Sequence, residues 1–168
     1  LTFFNMIIYL RNKHTLEVDD FQFRCVIGKN GISNQKIEGD FCTPKGIFKL
    51  ENLFYRKDRV DFEKCELKVK NINREMVWCN DSSSIYYNKL TRINKKITYE
   101  KLFRNDYKYD FIIPLNYNRK NIKKNKGSAI FMHLTKNYKP TAGCIAISKN
   151  DFEILIKVIK KNTYIKIS

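Results

Sequence analysis

Two residues with complementary chemistry lie close together late in the chain. His133 is followed eleven positions on by Cys144, which stands directly behind Gly143, in the stretch "IFMHLTKNYKPTAGCIAIS". A cysteine attacks as its thiolate, so it needs a neighbouring base or a positive field. Acyl transfer also needs hydrogen-bond donors for a developing oxyanion, commonly backbone N–H groups in a tight turn. Gly143 beside Cys144 allows the close backbone approach such a turn requires. The same spacing equally suits a satisfied core histidine and a small buried cysteine. Spacing alone leaves both readings open.

The surrounding pattern supplies elements able to hold such a pair. "SAIFMHL" is an apolar strand, "TKNYKPTAG" a nine-residue loop, and "CIAI" a short apolar segment. Ser148 stands three residues before Asp151, as in a capping box, and Phe152, Leu155, Ile156 and Ile159 follow at helical spacing. An amphipathic helix is therefore expected at about 149–161, then a last strand, "TYIKIS". The loop can fold back and set imidazole and sulfur side by side at one end of a sheet.

Upstream, "NMIIYLRNKHTLEVDDFQFRCVIG" alternates with β-branched and aromatic residues, giving two or three strands with turns at Asn12–Lys13 and Asp19–Asp20. Pro44 and Gly46 mark a turn, after which "GIFKLENLFY" resumes as a strand. Residues 56–75 are charged and ambiguous, and "WCNDSSSIYYNKL" is loop-like. "TYEKLFRNDYKY" suits a short helix or an irregular segment. "YDFIIPLNYN" is a strand in which Pro114 suggests an edge or bulge. "RKNIKKNKG" is a basic, solvated loop. The expectation is one mainly β domain spanning 1–168, with a few peripheral helices.

Composition narrows the partners. A formal net charge of +16 with pI about 9.7 attracts polyanions. Lys, Asn and Ile dominate, however, which compositional drift also produces, and arginine-rich contacts typical of a nucleic-acid reader are missing. No nucleic-acid partner is expected. The five cysteines (Cys25, Cys42, Cys65, Cys79 and Cys144) form no CxxC, and only His14 and His133 accompany them, so neither a metal site nor a cofactor is expected. The apolar start "LTFFNMIIYL" is too short to span a bilayer and lacks the basic flank of an export signal; it is read as a strand.

The segment "GSAIFMHL…YKPTAGCIAIS…DFEIL" resembles the L,D-transpeptidase (YkuD-type) catalytic domain, whose signature is a strand histidine and, after a loop, Ser/Thr-x-Gly-Cys. The matching positions are His133, Thr141, Gly143 and Cys144. "KIEGDFCTPKGIFKL" is similar to the family's Thr-Pro-x-Gly turn, here Thr43, Pro44 and Gly46. The resemblance covers about residues 6–160. The chain departs from the common pattern with Leu134 for glycine, Ala142 for histidine and Ala146 for arginine.

The resemblance implies a β-sandwich or barrel-like fold and peptidoglycan stem peptides as substrate, hence a periplasmic or cell-envelope location. It implies Cys144 as nucleophile, His133 as base and acid, and Gly143 as part of the oxyanion turn. A backbone carbonyl near Thr141 would orient the imidazole. Arg56 is the candidate partner of a substrate carboxylate, Trp78 and Tyr117 candidate cleft walls, and Thr141, Asp81 and Asn118 candidate substrate contacts. Hydrolysis of the same bond, or a non-catalytic basic binding module, would use the same sequence features.

Overall fold

A computed structural model describes residues 5–168. The first hairpins follow the alternation: β1 (Met6–Arg11), β2 (Thr15–Val18) and β3 (Phe21–Val26). Asn12 and Lys13 both take positive φ (49° and 61°), the backbone of a tight hairpin turn, and Asp19 does so at the next (49°). The start of the expected first strand, residues 1–4, lies outside the described residues.

The next elements are short: β4 (Ile32–Ser33), β5 (Thr43–Pro44), β6 (Gly46–Lys49), β7 (Leu53–Tyr55) and β8 (Val69–Asn71). After them come β9 (Met76–Cys79), β10 (Leu90–Arg92), β11 (Tyr99–Lys101) and β12 (Phe111–Pro114). The chain closes with β13 (Phe131–Leu134), β14 (Ile145–Ile147), α1 (Lys149–Val158) and β15 (Thr163–Ile167).

Ten strands form one sheet in the order β6-β15-β1-β2-β3-β14-β13-β12-β7-β8. "GIFKLENLFY", expected as one strand, splits into β6 and β7 at far-apart places in that order. Between them Leu50 N–H donates to Thr163, the first residue of β15, and Glu51 N–H to Pro114 of β12. One short segment thus ties two distant parts of the sheet, which must curl. With 37% strand and 6% helix the fold is mainly β.

Three expectations are corrected. Among the described residues there is one helix rather than a few. It ends at Val158, because buried Ile159 turns extended (φ −63°, ψ 149°) to lead the chain into β15. Of the two forms open to "TYEKLFRNDYKY", the irregular one holds for its bends and turns after Lys101, while Tyr99–Lys101 pairs with β9. Pro114 lies inside the sheet, but at the last residue of β12, where it still faces Phe131 of β13.

Alternation along β13 and β14 separates two cores. Met132, Leu134, Ile145 and Ile147 face the larger one, capped by Phe152, Leu155 and Ile156 of α1; Phe152 stacks on Phe111 at 5.4 Å. Phe131 and Cys144 face the other, shared with Trp78, Leu102 and Tyr109 beneath the three-stranded sheet β10-β9-β11. The small sheet therefore covers the side of the large one that carries Phe131 and Cys144.

Candidate active site

β13 and β14 run parallel, with His133 opposite Ala146. Cys144 is two residues before Ala146, so its side chain leaves the same face as His133. Strand spacing and rise put the two Cα atoms about 8 Å apart on the diagonal. Both side chains line one cleft of about 590 Å³, together with Thr141.

The imidazole is held in one tautomer. Nδ1 lies 2.9 Å from the Leu134 carbonyl, which can only accept, so Nδ1 carries the proton and Nε2 is left as the basic nitrogen. The expected orienting carbonyl near Thr141 is thus supplied by the residue next to the histidine instead. The Tyr109 ring meets the imidazole edge-on, with centroids 5.1 Å apart.

The sulfur is gripped by backbone. Phe131 N–H donates to Sγ at 3.3 Å, and the thiol donates to the Ala129 carbonyl at 3.2 Å. Burial pushes the Cys144 thiol up to about 12, with the Glu100 carboxylate adding to the effect. Burial pushes His133 down to about 4, against the pull of its bond to Leu134. At neutral pH the pair rests as thiol and neutral imidazole, not as an ion pair.

The His133 shift has a consequence for stability. Its folded value lies below the 6.5 of a free imidazole. As pH falls through 6.5 the unfolded chain gains a proton that the fold refuses, and stability drops until about pH 4. Denaturant melts between pH 4 and 7 should show a steeper loss for wild type than for His133→Gln. Equal slopes would show that the ring is not held neutral.

Thr141 braces the turn that carries Cys144. Its hydroxyl donates to the Cys144 carbonyl at 2.6 Å and accepts from Gly143 N–H at 3.1 Å. Its backbone pairs with the continuation of β3, through Ile27 and Lys29. Gly143 has φ +142°, and a Cβ there would sit 2.8 Å from the Cys42 carbonyl oxygen. Thr43, fully buried, donates to the Gly143 carbonyl at 2.8 Å and accepts from Gly28 N–H at 2.9 Å. Thr43→Val should leave both groups unpaired and cost about 2–4 kcal/mol in a denaturant melt. An unchanged midpoint would mean that the turn stands without this tether.

The remaining sequence candidates do not line the cleft. Arg56 is 3% exposed; its Nε and Nη2 donate to Asp58, its Nη1 to the Arg104 carbonyl, and it stacks over Phe103. Burial of the stem and a bidentate partner make it an anchor for the 103–106 loop. Trp78 is buried, with its indole N–H on Asn88. Asp81 closes a turn onto Ser83, Tyr117 packs edge-on to Phe48, and Asn118 bridges Lys123 and Gly127. The pattern-breaking residues Leu134, Ala142 and Ala146 do line it. So do Lys36, Glu38, Glu100 and Tyr109, which sequence reasoning missed. They come from segments remote in sequence, and nothing local marks them.

The family model of the L,D-transpeptidase catalytic domain (YkuD) matches residues 5–167. The chain belongs to this family. Members of the YkuD family act on peptidoglycan. Among solved structures, the L,D-transpeptidase fold is shared with the helical cell shape determining protein Pgp2 from Campylobacter jejuni (TM-score 0.52, 17% identity, 96% of this chain and 46% of that one). It is shared as well with Bd1075 from Bdellovibrio bacteriovorus (TM-score 0.52, 15% identity, 98% and 48%). The chain thus spans about half the length of either. A search of curated protein sequences gives no match. No helix among the described residues of this YkuD domain is long and apolar enough to cross a membrane.

Proposed function

We propose that this YkuD domain is a cysteine acyltransferase acting on peptidoglycan stem peptides in the cell envelope, with Cys144 as nucleophile and His133 as base and acid. The observation that carries it is the placement of Cys144 and His133 on one face of adjacent strands, in one cleft, with Nδ1 occupied and Nε2 left basic. As the Cys144 sulfur attacks the amide carbonyl, its proton passes to Nε2. The tetrahedral oxyanion then collapses, the C–N bond breaks, and the imidazolium protonates the departing amine. Because Gly143 N–H is taken by Thr141, the Cys144 N–H is the amide of this turn available to the oxyanion. The thioester then passes to an incoming amine, which forms a cross-link and returns a proton through His133 to sulfur.

A second reading differs only in the last step, with water as acceptor. It is favoured by Ala142 and Ala146, which leave the cleft wall without the larger polar side chains common in the family. By analogy with the cell shape determining protein that shares its fold, remodelling of stem peptides would influence cell form.

Purified protein incubated with disaccharide tetrapeptides, followed by mass spectrometry, tests both. Dimers are expected from transfer; tripeptide monomers alone would assign hydrolysis. A carbapenem should add its mass to Cys144. If neither the antibiotic nor any muropeptide acylates the protein, the enzyme reading fails and a binding module remains.

A further inference from the structure

We infer that the β9–β10 loop and the β12–β13 loop together form a surface that docks onto an anionic lipid bilayer. Ile85 and Tyr86 enter the headgroup layer, and the lysines around them meet the lipid charges. The inference does not rest on the acyl-transfer reading and would hold for a protein with no activity.

Tyr87 and Asn88 anchor the first loop. Both are buried. The Tyr87 hydroxyl donates to Glu38 and accepts from Gly127 N–H at 3.0 Å. Asn88 Oδ1 accepts from the Trp78 indole at 2.9 Å, and its Nδ2 donates to the Asn118 carbonyl at 2.7 Å. The two residues before this anchor are left outside: Ile85 is 77% exposed and Tyr86 44%. Exposed Ile37 joins them, because Glu38 beside it is bonded to Tyr87 and, through its N–H, to the Asn125 carbonyl at 3.0 Å. Apolar side chains gathered on joined segments, rather than scattered singly, mark a contact surface. The second loop is tied on itself. Asn118 Nδ2 donates to the Lys123 and Gly127 carbonyls, and its Oδ1 accepts from Lys123 N–H at 2.8 Å. That leaves Lys120, Lys123, Lys124 and Lys126 exposed around the knot. Lys124 reaches across to the Ser83 carbonyl and Lys89 to the Ile85 carbonyl, each at 3.2 Å, so ammonium groups flank the apolar pair.

Nothing on this face neutralises those lysines. Residues 82–89 and 119–127 contain no Asp or Glu. Among the described residues, none of Lys89, Lys120, Lys123, Lys124 and Lys126 is ion-paired. The neighbouring carboxylates are engaged elsewhere: Glu38 with Tyr87, Asp40 with Lys36, Glu51 with Arg119. Asp81 turns onto Ser83 and feels Lys124 without pairing with it. On α1, by contrast, Lys149 and Lys157 each stand beside a glutamate. Compositional drift adds lysine everywhere; it does not clear one face of acid while turning isoleucine outward. The two kinds of group select the occupant. A second copy would bring the same lysines face to face. A nucleic acid would meet the lysines but offers no hydrocarbon to Ile85. An anionic bilayer offers both: a negative surface, where each lysine adds about fivefold to partitioning, and an interface in which tyrosine and isoleucine leave water. Glu38 also lines the cleft, so the docked face adjoins the mouth of the cleft.

The net charge of +16 attracts any anionic surface, so the test must separate this face from the rest of the protein. Cosedimentation compares phosphatidylcholine vesicles with vesicles containing about 30% phosphatidylglycerol, at about 0.1 M salt. Binding to the anionic vesicles is expected to be at least about tenfold tighter. Lys123→Gln with Lys124→Gln should weaken it about tenfold or more. Ile85→Ser with Tyr86→Ser should weaken it about tenfold without any change of charge. Lys149→Gln with Lys157→Gln removes the same charge from α1, which packs on the other side of the large sheet, and should change binding less than about twofold. All these side chains are exposed, so melting midpoints should stay at the wild-type value and keep loss of binding distinct from loss of fold. No binding to the anionic vesicles, an equal loss from the α1 pair, or binding indifferent to Ile85 and Tyr86 would overturn the surface. A single-stranded oligonucleotide that binds more tightly than the vesicles, and ignores the Ile85 and Tyr86 changes, would assign the lysines to nucleic acid and overturn it as well.

Discussion

Cys144→Ala is expected to remove acyl-enzyme formation altogether and to lower peptide turnover by about 10⁴-fold or more. No other cysteine can substitute. Cys25, Cys42, Cys65 and Cys79 are free thiols, but none lines the cleft beside His133. His133→Gln should retain a slow, measurable acylation, about 10²–10⁴-fold below wild type, because the nucleophile stays in place without its base. The pH profile separates this site from one built on a thiolate–imidazolium pair. With the thiol near 12 and the imidazole near 4, the resting protonation state does not change between about pH 5 and 10. The acylation rate of the free protein should therefore be flat across that range, and alkylation of Cys144 by iodoacetamide slow at pH 7. A rate that climbs tenfold between pH 6 and 7 would show that substrate meets a preformed thiolate.

Gly143→Ala should be severely damaging although it adds only one methyl group. The residue sits at φ +142°, a conformation closed to L side chains, and the added carbon would press on the Cys42 carbonyl at 2.8 Å and on Ile130 at 3.3 Å. Neither neighbour is a free side-chain end: one is backbone and the other is part of the core. Strain and overpacking together should cost about 3 kcal/mol or more. The effect on chemistry should be larger than the effect on folding. Gly143 fixes the direction of the Cys144 amide and sulfur, and a displacement of about 1 Å there is worth roughly 10²-fold in rate. Denaturant melts and carbapenem acylation of the same variant give the two numbers. A folded G143A protein with full acylation rate would mean that the turn does not position the nucleophile.

The features legible in the sequence share one property: they are local. The alternation of β1–β3, the left-handed turn at Asn12–Lys13 and the Ser148 cap each depend on residues a few positions apart. His133 and Cys144 are close enough in sequence for their strands to be recognised as neighbours. What escaped notice is built from distance. Arg56 suits a substrate carboxylate by type, yet its guanidinium lies between Asp58, Arg104 and Phe103, the last two nearly fifty residues away. Trp78 and Tyr117 suited a cleft wall by type, yet packing buries the first and turns the second toward Phe48. The three-residue strands β10 and β11 are too short to show a period, although they form the small sheet that carries Glu100.

The pairing of β1 with β15 carries a consequence for how the molecule comes into being. Met6 lies beside Thr163 and Leu10 beside Ile167, so the sheet joins segments from nearly opposite ends of the sequence. On a ribosome β1 would wait, its apolar face uncovered, until the last strand emerged. Such long-range parallel pairing folds slowly and leaves edges open to other chains meanwhile. Completion of the cleft waits too, since β14 leans on β3 and β3 belongs to the same delayed sheet. A nascent chain halted before residue 163 would therefore carry His133 and Cys144 yet lack the strand that closes this sheet.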